Sequence, residues 1–477
     1  MALKSRFEVI TKADYPRIHE ASLKILAETG VAFHHEKALE VFKKHGAKVD
    51  GNIVYIPKKM VEDAVETAPS TFKWRGRNDK KSVVVGEGFL VQPNVGPVYI
   101  QDMDNGRRLA TIDDFANIQK LCQASEVVNI AGTIPVDPSD VPSEQKHLSM
   151  MYHTLKNTDK PIIGMCAEAK EVKEQLDMVA LAMGGEEFLK ENHYVGVLVN
   201  SLSPLAYAPE TLETMILYAE RNQPILLAPC MMAGVSAPIS LLGTAVLQNT
   251  ETLAGLVLTQ LINPGTPLVW ATASTSAYFK SASYCAGTPE AMLINTASLQ
   301  MGLEYYKLPI RTMCGITESK TVDAQAGYES MQSLMMGMMS GAHIAVQCLG
   351  ELDSIMTTSY EKFIIDEEMI RRVLCVNKGL DDVDRDLSVD VIQEIGQKGS
   401  YLMHTNTFEH FKKRWTPTVS EWNSYNEWKE NGSEDVVIRA NRRFKEILNN
   451  APETLFSPEL DKELIAYIGK VTRMVTA

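Results

Sequence analysis

Formal charge is almost missing from the centre of this 477-residue chain: between Arg221 and Lys280 the only charged residue is Glu251. A stretch so poor in charge belongs to a large buried core or to a membrane. Pro224, Pro229, Pro238, Pro264 and Pro267 cut it into pieces too short for clean membrane-spanning helices. What remains reads as a strand over 224–229, a helix over about 240–261, a Pro-Gly-Thr-Pro turn and a strand over 267–272. Strands that are apolar throughout are buried on both faces, as in a parallel sheet.

Other absences narrow the function. There is no basic excess, and a net charge of −13 argues against nucleic acid as a partner. Seven cysteines, an odd number with no Cys-x-x-Cys, are expected to be reduced and mostly buried. The first sixteen residues hold no apolar signal core, so a cytoplasmic location is expected. The ten histidines form no metal-binding spacing, which excludes a catalytic zinc site; His34 and His35 are expected on a helix surface. GEGF at 86–89 lacks the spacing of a dinucleotide turn. No phosphate-binding loop and no Gly-x-Ser-x-Gly elbow occurs either.

What is present is a repeated strand–helix rhythm. Candidate strands cover 129–134, 161–166, 193–200, 224–229, 267–272, 309–314 and 343–348. Helical stretches at 142–157, 170–183, 209–221, 240–261, 288–306 and 321–340 alternate with them. This predicts an α/β fold, a (β/α)₈ TIM barrel over 126–360, with the eighth strand at 351–356 or somewhere before 129. Residues 1–125 read as an N-terminal α+β elaboration, with helices near 14–29, 36–45 and 58–67. Residues 361–477 read as a helical region that completes and caps the barrel, with helices at 361–378, 387–398, 417–431, 434–449 and 459–470.

A barrel of this kind builds its active site past the C-terminal ends of its strands. Those positions hold Asn200, Ser201, Cys230, Met231, Thr272, Ser274, Tyr278, Thr317, Glu318, Gln347 and Cys348, a neutral, polar and aromatic rim. Lys280 and Lys320 are the lysines nearest a strand end and leave Schiff-base chemistry open as an alternative. The block 313–369 is the densest in special residues. On a helix, Gln325 and Glu329 share one face, Tyr328 lies beside them, and Met331, Met335, Met338 and Met339 form a stripe that suits core packing.

Three blocks carry a family resemblance: VGPVYIQDMDNGRRLATIDDF (95–115), ITESKTVDAQAGYES with GAH and SYEKFIIDEEM (316–369), and HTNTFEHFKKRW with YNEWKENG and RANRRFKEIL (404–448). In these the chain resembles the trimethylamine methyltransferase superfamily, in its members without pyrrolysine, over essentially its whole length. The resemblance implies a (β/α)₈ barrel that moves a methyl group from an amine to the Co(I) of a corrinoid carried by a separate small protein. It implies quaternary ammonium substrates of the glycine betaine, proline betaine or carnitine kind, since this chain has only standard residues. Partners expected are thus the small-molecule amine and a cognate corrinoid protein, with no cofactor or metal bound directly, no membrane, and a homo-oligomeric state.

Cations without N–H are held by aromatic faces, so Tyr99, Trp270, Tyr278, Tyr328 and Tyr360 are the candidates for a cage. Asn94, Asn200, Arg311, Gln325 and His343 are candidates for holding a carboxylate, and Glu329 for offsetting the ammonium charge. Gln325, Glu329 and His343 are also the catalytic candidates. A binding barrel that has lost methyl transfer, or a lyase using Lys320, remains the alternative.

Overall fold

Eight short apolar segments hydrogen-bond into one parallel sheet that closes on itself: β1 (Leu90–Val91), β2 (Ala131–Gly132), β3 (Ile162–Gly164), β4 (Val195–Val199), β5 (Ile225–Leu227), β6 (Leu268–Ala271), β7 (Ile310–Met313) and β8 (Ile344–Val346). The structure, a computed structural model, describes residues 5–475 apart from Thr133. β8 pairs in parallel with β1, Ile344 opposite Leu90. The remaining seam is sewn by the Asn129 and Ile130 amides donating to the Val91 carbonyl at 2.9 and 3.1 Å, and by Val91 N–H donating to Asn129 Oδ1 at 2.9 Å.

Each strand is followed by a helix: α1 (Ile112–Ala124), α2 (Ser143–Asn157), α3 (Ala169–Met183), α4 (Pro209–Glu220), α5 (Leu241–Ile262), α6 (Pro289–Gln300), α7 (Ala324–Met339) and α8 (Tyr360–Lys378). This is the expected (β/α)₈ barrel. The eighth strand comes from before residue 129, and Glu351–Leu352 pairs instead with Thr357–Ser359 in a small sheet at the mouth. The first β/α unit therefore starts at Leu90, ahead of the expected boundary at 126. Its helix α1 was not foreseen, although Thr111 and Asp114 form a capping box at its start.

The charge-poor segment is accounted for by α5, buried on nearly every face. The barrel lies on one side of it, and the N-terminal helices Asp14–Glu28, Glu36–Lys44 and Lys58–Thr67 pack on the other. His34 and His35 sit in the turn between strand Val31–Phe33 and helix Glu36–Lys44, not on a helix surface, because His35 is already the N-cap. Of the seven free cysteines only Cys122, Cys314 and Cys348 are buried; Cys166 and Cys230 are exposed past strand ends, and Cys375 is exposed on α8. In the C-terminal region, the expected helix over 417–431 is confined to Tyr425–Glu430. Glu368 accounts for this: it accepts hydrogen bonds from the Thr418, Val419 and Ser420 amides, which holds that backbone outside a helix. Among the described residues no helix is long and apolar enough to cross a membrane.

The N-terminal end of the barrel is plugged. The hairpin of Phe72–Trp74 and Val83–Val85 packs against Ile163, Leu226, Val269 and Ile344, inward residues of four strands, and against Ile130 just before β2. Gly196 of β4 makes this possible, since a Cβ there would overlap the Trp74 ring. Trp74 also donates its indole N–H to the Tyr194 carbonyl at 3.1 Å. Only the C-terminal end of the lumen remains open.

Candidate active site at the barrel mouth

Strand register decides which side chains enter the lumen. Arg311 pairs with Ala271 on one side and Ile344 on the other, so these three share the inward face of the sheet. Arg311 is thus a guanidinium inside the barrel, 2% exposed, placed above the plug. Its Nε donates to Gln92 Oε1 at 3.1 Å, two residues past inward-facing Leu90. Among the described residues no carboxylate lies within ion-pair distance of it, and burial pulls its pKa down to about 9. Leu198, also inward, is only half-buried and Asn200 is exposed, so solvent reaches this depth from the mouth.

The rim is held by backbone-directed hydrogen bonds. Asn200 donates to the Ala228 carbonyl. Gln347 adopts φ +66°, a left-handed conformation rare outside glycine, and its amide bonds both ways to the Val95 backbone at 2.9 Å. Asn94, fully buried, donates to Thr358 Oγ1 at 2.9 Å, and among the described residues its Oδ1 has no partner. Glu329, half-buried on α7, accepts from Thr317 Oγ1 at 2.6 Å, from the Glu318 amide at 2.8 Å and from Gln325 Nε2 at 3.1 Å. Glu318 in turn accepts from the Gly287 amide at 3.0 Å. Glu329 thus clamps the backbone at the end of β7 while the Glu318 carboxylate reaches to the loop before α6.

Asn94, Asn200, Arg311, Gln325 and Glu329 therefore gather at or below the mouth. Tyr278 is there too, half-exposed on a hairpin (Thr275–Tyr278 with Ser283–Cys285) that follows β6. Trp270, His343 and Tyr360 lie elsewhere, while Tyr99, in the small sheet at the mouth, and Tyr328, beside Glu329, do not face the lumen as a cage. Trp270 points outward, fully buried, donating to Ser298 Oγ at 3.0 Å and stacked on Tyr306. Its neighbours Val269 and Ala271 take the inward positions, and alternation sends it the other way. His343 precedes β8 at the plugged end, where its Nδ1 accepts from the Ile310 amide at 3.1 Å. Burial, with Arg6 nearby, drops its pKa to about 4. Tyr360 is buried at the start of α8, donating to Asp114 Oδ1 at 2.9 Å and stacked on Phe444. Tyr99 already carries the Arg107 guanidinium 3.6 Å from its ring centre. Tyr328 is 62% exposed on α7.

Three site residues escaped the sequence reading. Gln92 could have been found, because it alternates with Leu90 and Asn94. Tyr284, whose hydroxyl donates to the Ala273 carbonyl at 2.6 Å, packs against Met313 and Val346 in the upper lumen. Glu351, buried, accepts from the Thr317 amide at 2.8 Å and from the Ile355 amide. Beneath them the buried pair Lys362–Asp366 braces the same loop: Lys362 Nζ donates to Ser330 Oγ at 2.9 Å, and Asp366 accepts from the Gly350 amide at 2.7 Å. Among the described residues no group of three or more His, Cys, Asp or Glu side chains could hold a metal ion.

A one-ended barrel with a buried guanidinium in its lumen and polar anchors at its C-terminal rim is the architecture of a small-molecule enzyme. The family described as trimethylamine methyltransferase (MTTB) matches residues 3–475, and the chain belongs to that family. It is 36% identical to a glycine betaine methyltransferase of Desulfitobacterium hafniense, over 98% of both chains. It is 35% identical to a proline betaine:corrinoid methyltransferase of Eubacterium limosum, over 87% of this chain and 88% of that one. Among solved structures it shares its fold with the monomethylamine methyltransferase of Methanosarcina barkeri, at 10% identity and a TM-score of 0.54 over 96% of this chain and 91% of that one.

Proposed function

We propose that this chain moves one N-methyl group from a carboxylate-bearing quaternary ammonium compound, of the glycine betaine, proline betaine or carnitine kind, to the cobalt of a corrinoid carried by a separate protein. The observation that carries the reading is Arg311. A guanidinium buried in the lumen without a carboxylate is an anchor for one brought by the substrate. Its partner Gln92 fixes its orientation and leaves its charge uncompensated. Family membership and the betaine-named relatives support the same class.

The chemistry asks little of the side chains beyond placement. The cobalt supplies the electron pair of the new bond to carbon, and the pair of the broken C–N bond stays on nitrogen. The product is a neutral tertiary amine, so no residue has to protonate the leaving group. With the carboxylate on Arg311, the ammonium lies higher in the lumen, where Met313 and Tyr284 offer soft and aromatic walls that make no demand for an N–H. The acceptor reaches the methyl from the open mouth, above Glu318 and Glu329.

The test compares initial rates of corrinoid methylation from glycine betaine, proline betaine, choline and trimethylamine, for the natural chain and for Arg311→Gln. A hydrogen-bonded charge is worth about 1.5–3 kcal/mol. The variant is therefore expected to raise KM for betaines roughly 10–100-fold and to leave any choline use unchanged. Faster turnover of choline or trimethylamine by the natural chain overturns the substrate class. Tight betaine binding with no methyl transfer to any corrinoid protein identifies a binding barrel instead.

A further inference from the structure

Among the described residues only one turn carries three non-glycine residues in succession through the left-handed region: Asp353, Ser354 and Ile355, at φ +55°, +49° and +67°. Residues other than glycine visit that region singly, and a β-branched one there is an outlier. Such backbone persists only where its surroundings over-determine it. Asp353 N–H donates to the Ser319 carbonyl at 2.8 Å, and Ser354 N–H to the Thr317 carbonyl at 3.1 Å. The amide of Ile355, the residue least suited to this conformation, donates to the carboxyl of Glu351. That side chain is wholly buried, and its other oxygen accepts the Thr317 amide at 2.8 Å. The buried cation whose field reaches it, Lys362, makes its ion pair with Asp366 instead. A buried carboxyl without an ion pair is costly, and the two amide bonds offset that cost only in this one geometry of turn and loop.

The turn passes its position on to the lumen. Ser354 Oγ donates to the Tyr284 carbonyl at 3.1 Å and accepts from the Ala286 amide at 3.2 Å, gripping the hairpin strand on both sides of Cys285. The half-buried Tyr284 ring is moored at its far end on the Ala273 carbonyl and lies against Met313. We infer that Glu351 is a positioning residue for methyl transfer: it holds the turn 353–355, and through Ser354 that turn sets how far the Tyr284 ring stands into the lumen. The inference deepens the proposed function and rests on it. With the substrate carboxylate fixed on Arg311, the height and tilt of the ammonium are left to the walls above, and Tyr284 is an aromatic wall there. A small shift of that ring moves the methyl off the line to the acceptor, where a misplacement of about 1 Å can cost 100-fold in rate. The carboxylate end stays bound meanwhile. Glu351 touches neither substrate nor reacting atoms, so its signature is a loss of kcat with binding kept.

The experiment measures the Kd of glycine betaine and proline betaine by calorimetry and kcat for corrinoid methylation from each, with a melting profile for every variant. Glu351→Gln keeps the shape of the side chain but turns a donor toward one of its two amides. It should lower kcat roughly 10–100-fold and leave Kd within about threefold. Glycine adopts φ +67° with no Cβ to clash, so Glu351→Gln/Ile355→Gly should recover at least about threefold of that loss. Ser354→Ala leaves Glu351 and its bonds in place and should show the same signature at about tenfold. In a Tyr284→Ala background, Glu351→Gln should cost less than about threefold more, because the two residues act as one unit. A Glu351→Gln chain that melts lower but keeps the natural kcat has lost stability alone and overturns the inference. So does a loss that glycine does not recover, or one carried wholly by Kd. Should Glu351→Gln fail to fold, a natural kcat in Ser354→Ala overturns it and the tenfold loss supports it. A natural chain that methylates no corrinoid from either betaine removes the proposed function and this inference together, whereas an active natural chain with unmoved variants removes the inference only.

Discussion

Glu251, the only charge in the apolar centre of the chain, accepts a 2.7 Å hydrogen bond from the Ser203 hydroxyl and another of 2.7 Å from the Leu205 amide. Ser201 donates to the same carboxylate. One side chain of α5 therefore fastens the loop that follows β4, next to Asn200 at the mouth. Burial raises its pKa, and these three donors work in the opposite direction.

Glu251→Ala is expected to strand those donors inside the protein. At about 1–3 kcal/mol for each buried group left unpaired, the loss should reach several kcal/mol. A urea titration that placed the midpoint within error of the natural chain would contradict this account of the loop.

His343 should shape the acid side of the stability curve. Its folded pKa, about 4, lies below the ordinary histidine value of 6.5, so between those values the unfolded chain binds a proton that the folded chain does not. Stability contributed by the neutral ring is complete above pH 6.5 and falls as pH drops to about 4. The total is about 3 kcal/mol. His343→Asn keeps an acceptor for the Ile310 amide and should flatten that limb. Denaturant midpoints measured from pH 4 to 8 for both chains will show whether the slope changes.

Glu329 and Tyr328 are neighbours with opposite expectations. Glu329→Gln weakens the charged clamp on Thr317 and Glu318, and should lower kcat/KM about tenfold for the loss of roughly 1.5 kcal/mol. Tyr328→Ala removes a ring that is 62% exposed and should leave kcat/KM within about twofold. Equal losses in steady-state assays at one acceptor concentration would place the substrate against the outer face of α7.

Much of the barrel can be read from the chain because its strands are short apolar runs buried on both faces, set off by proline and glycine. β1 and β2 strain that logic. With two residues each, they owe their place to their neighbours and not to any pattern of their own. Arg311 is one of five candidates for holding a carboxylate, and the fold puts it in the lumen. Trp270, by contrast, sits one position from inward-facing Val269, and no composition rule reveals which parity faces in. His343 follows the same lesson along the strand axis: proximity to a strand does not say which end. Tyr284, Glu351 and the Lys362–Asp366 pair come together from three separate segments, and nothing local in the sequence announces such a meeting.

The Trp74 plug has a kinetic corollary. With the foot of the barrel sealed, the lumen has one door, and whatever covers the mouth shuts it. On the proposed function, a small molecule bound on Arg311 must therefore have come in before a large acceptor settled over the opening, and its demethylated remnant must wait for that acceptor to move off. Arrival and departure form a queue: amine first in, acceptor product first out. Excess unmethylated acceptor should then slow turnover by closing empty barrels, an inhibition that rising amine concentration relieves.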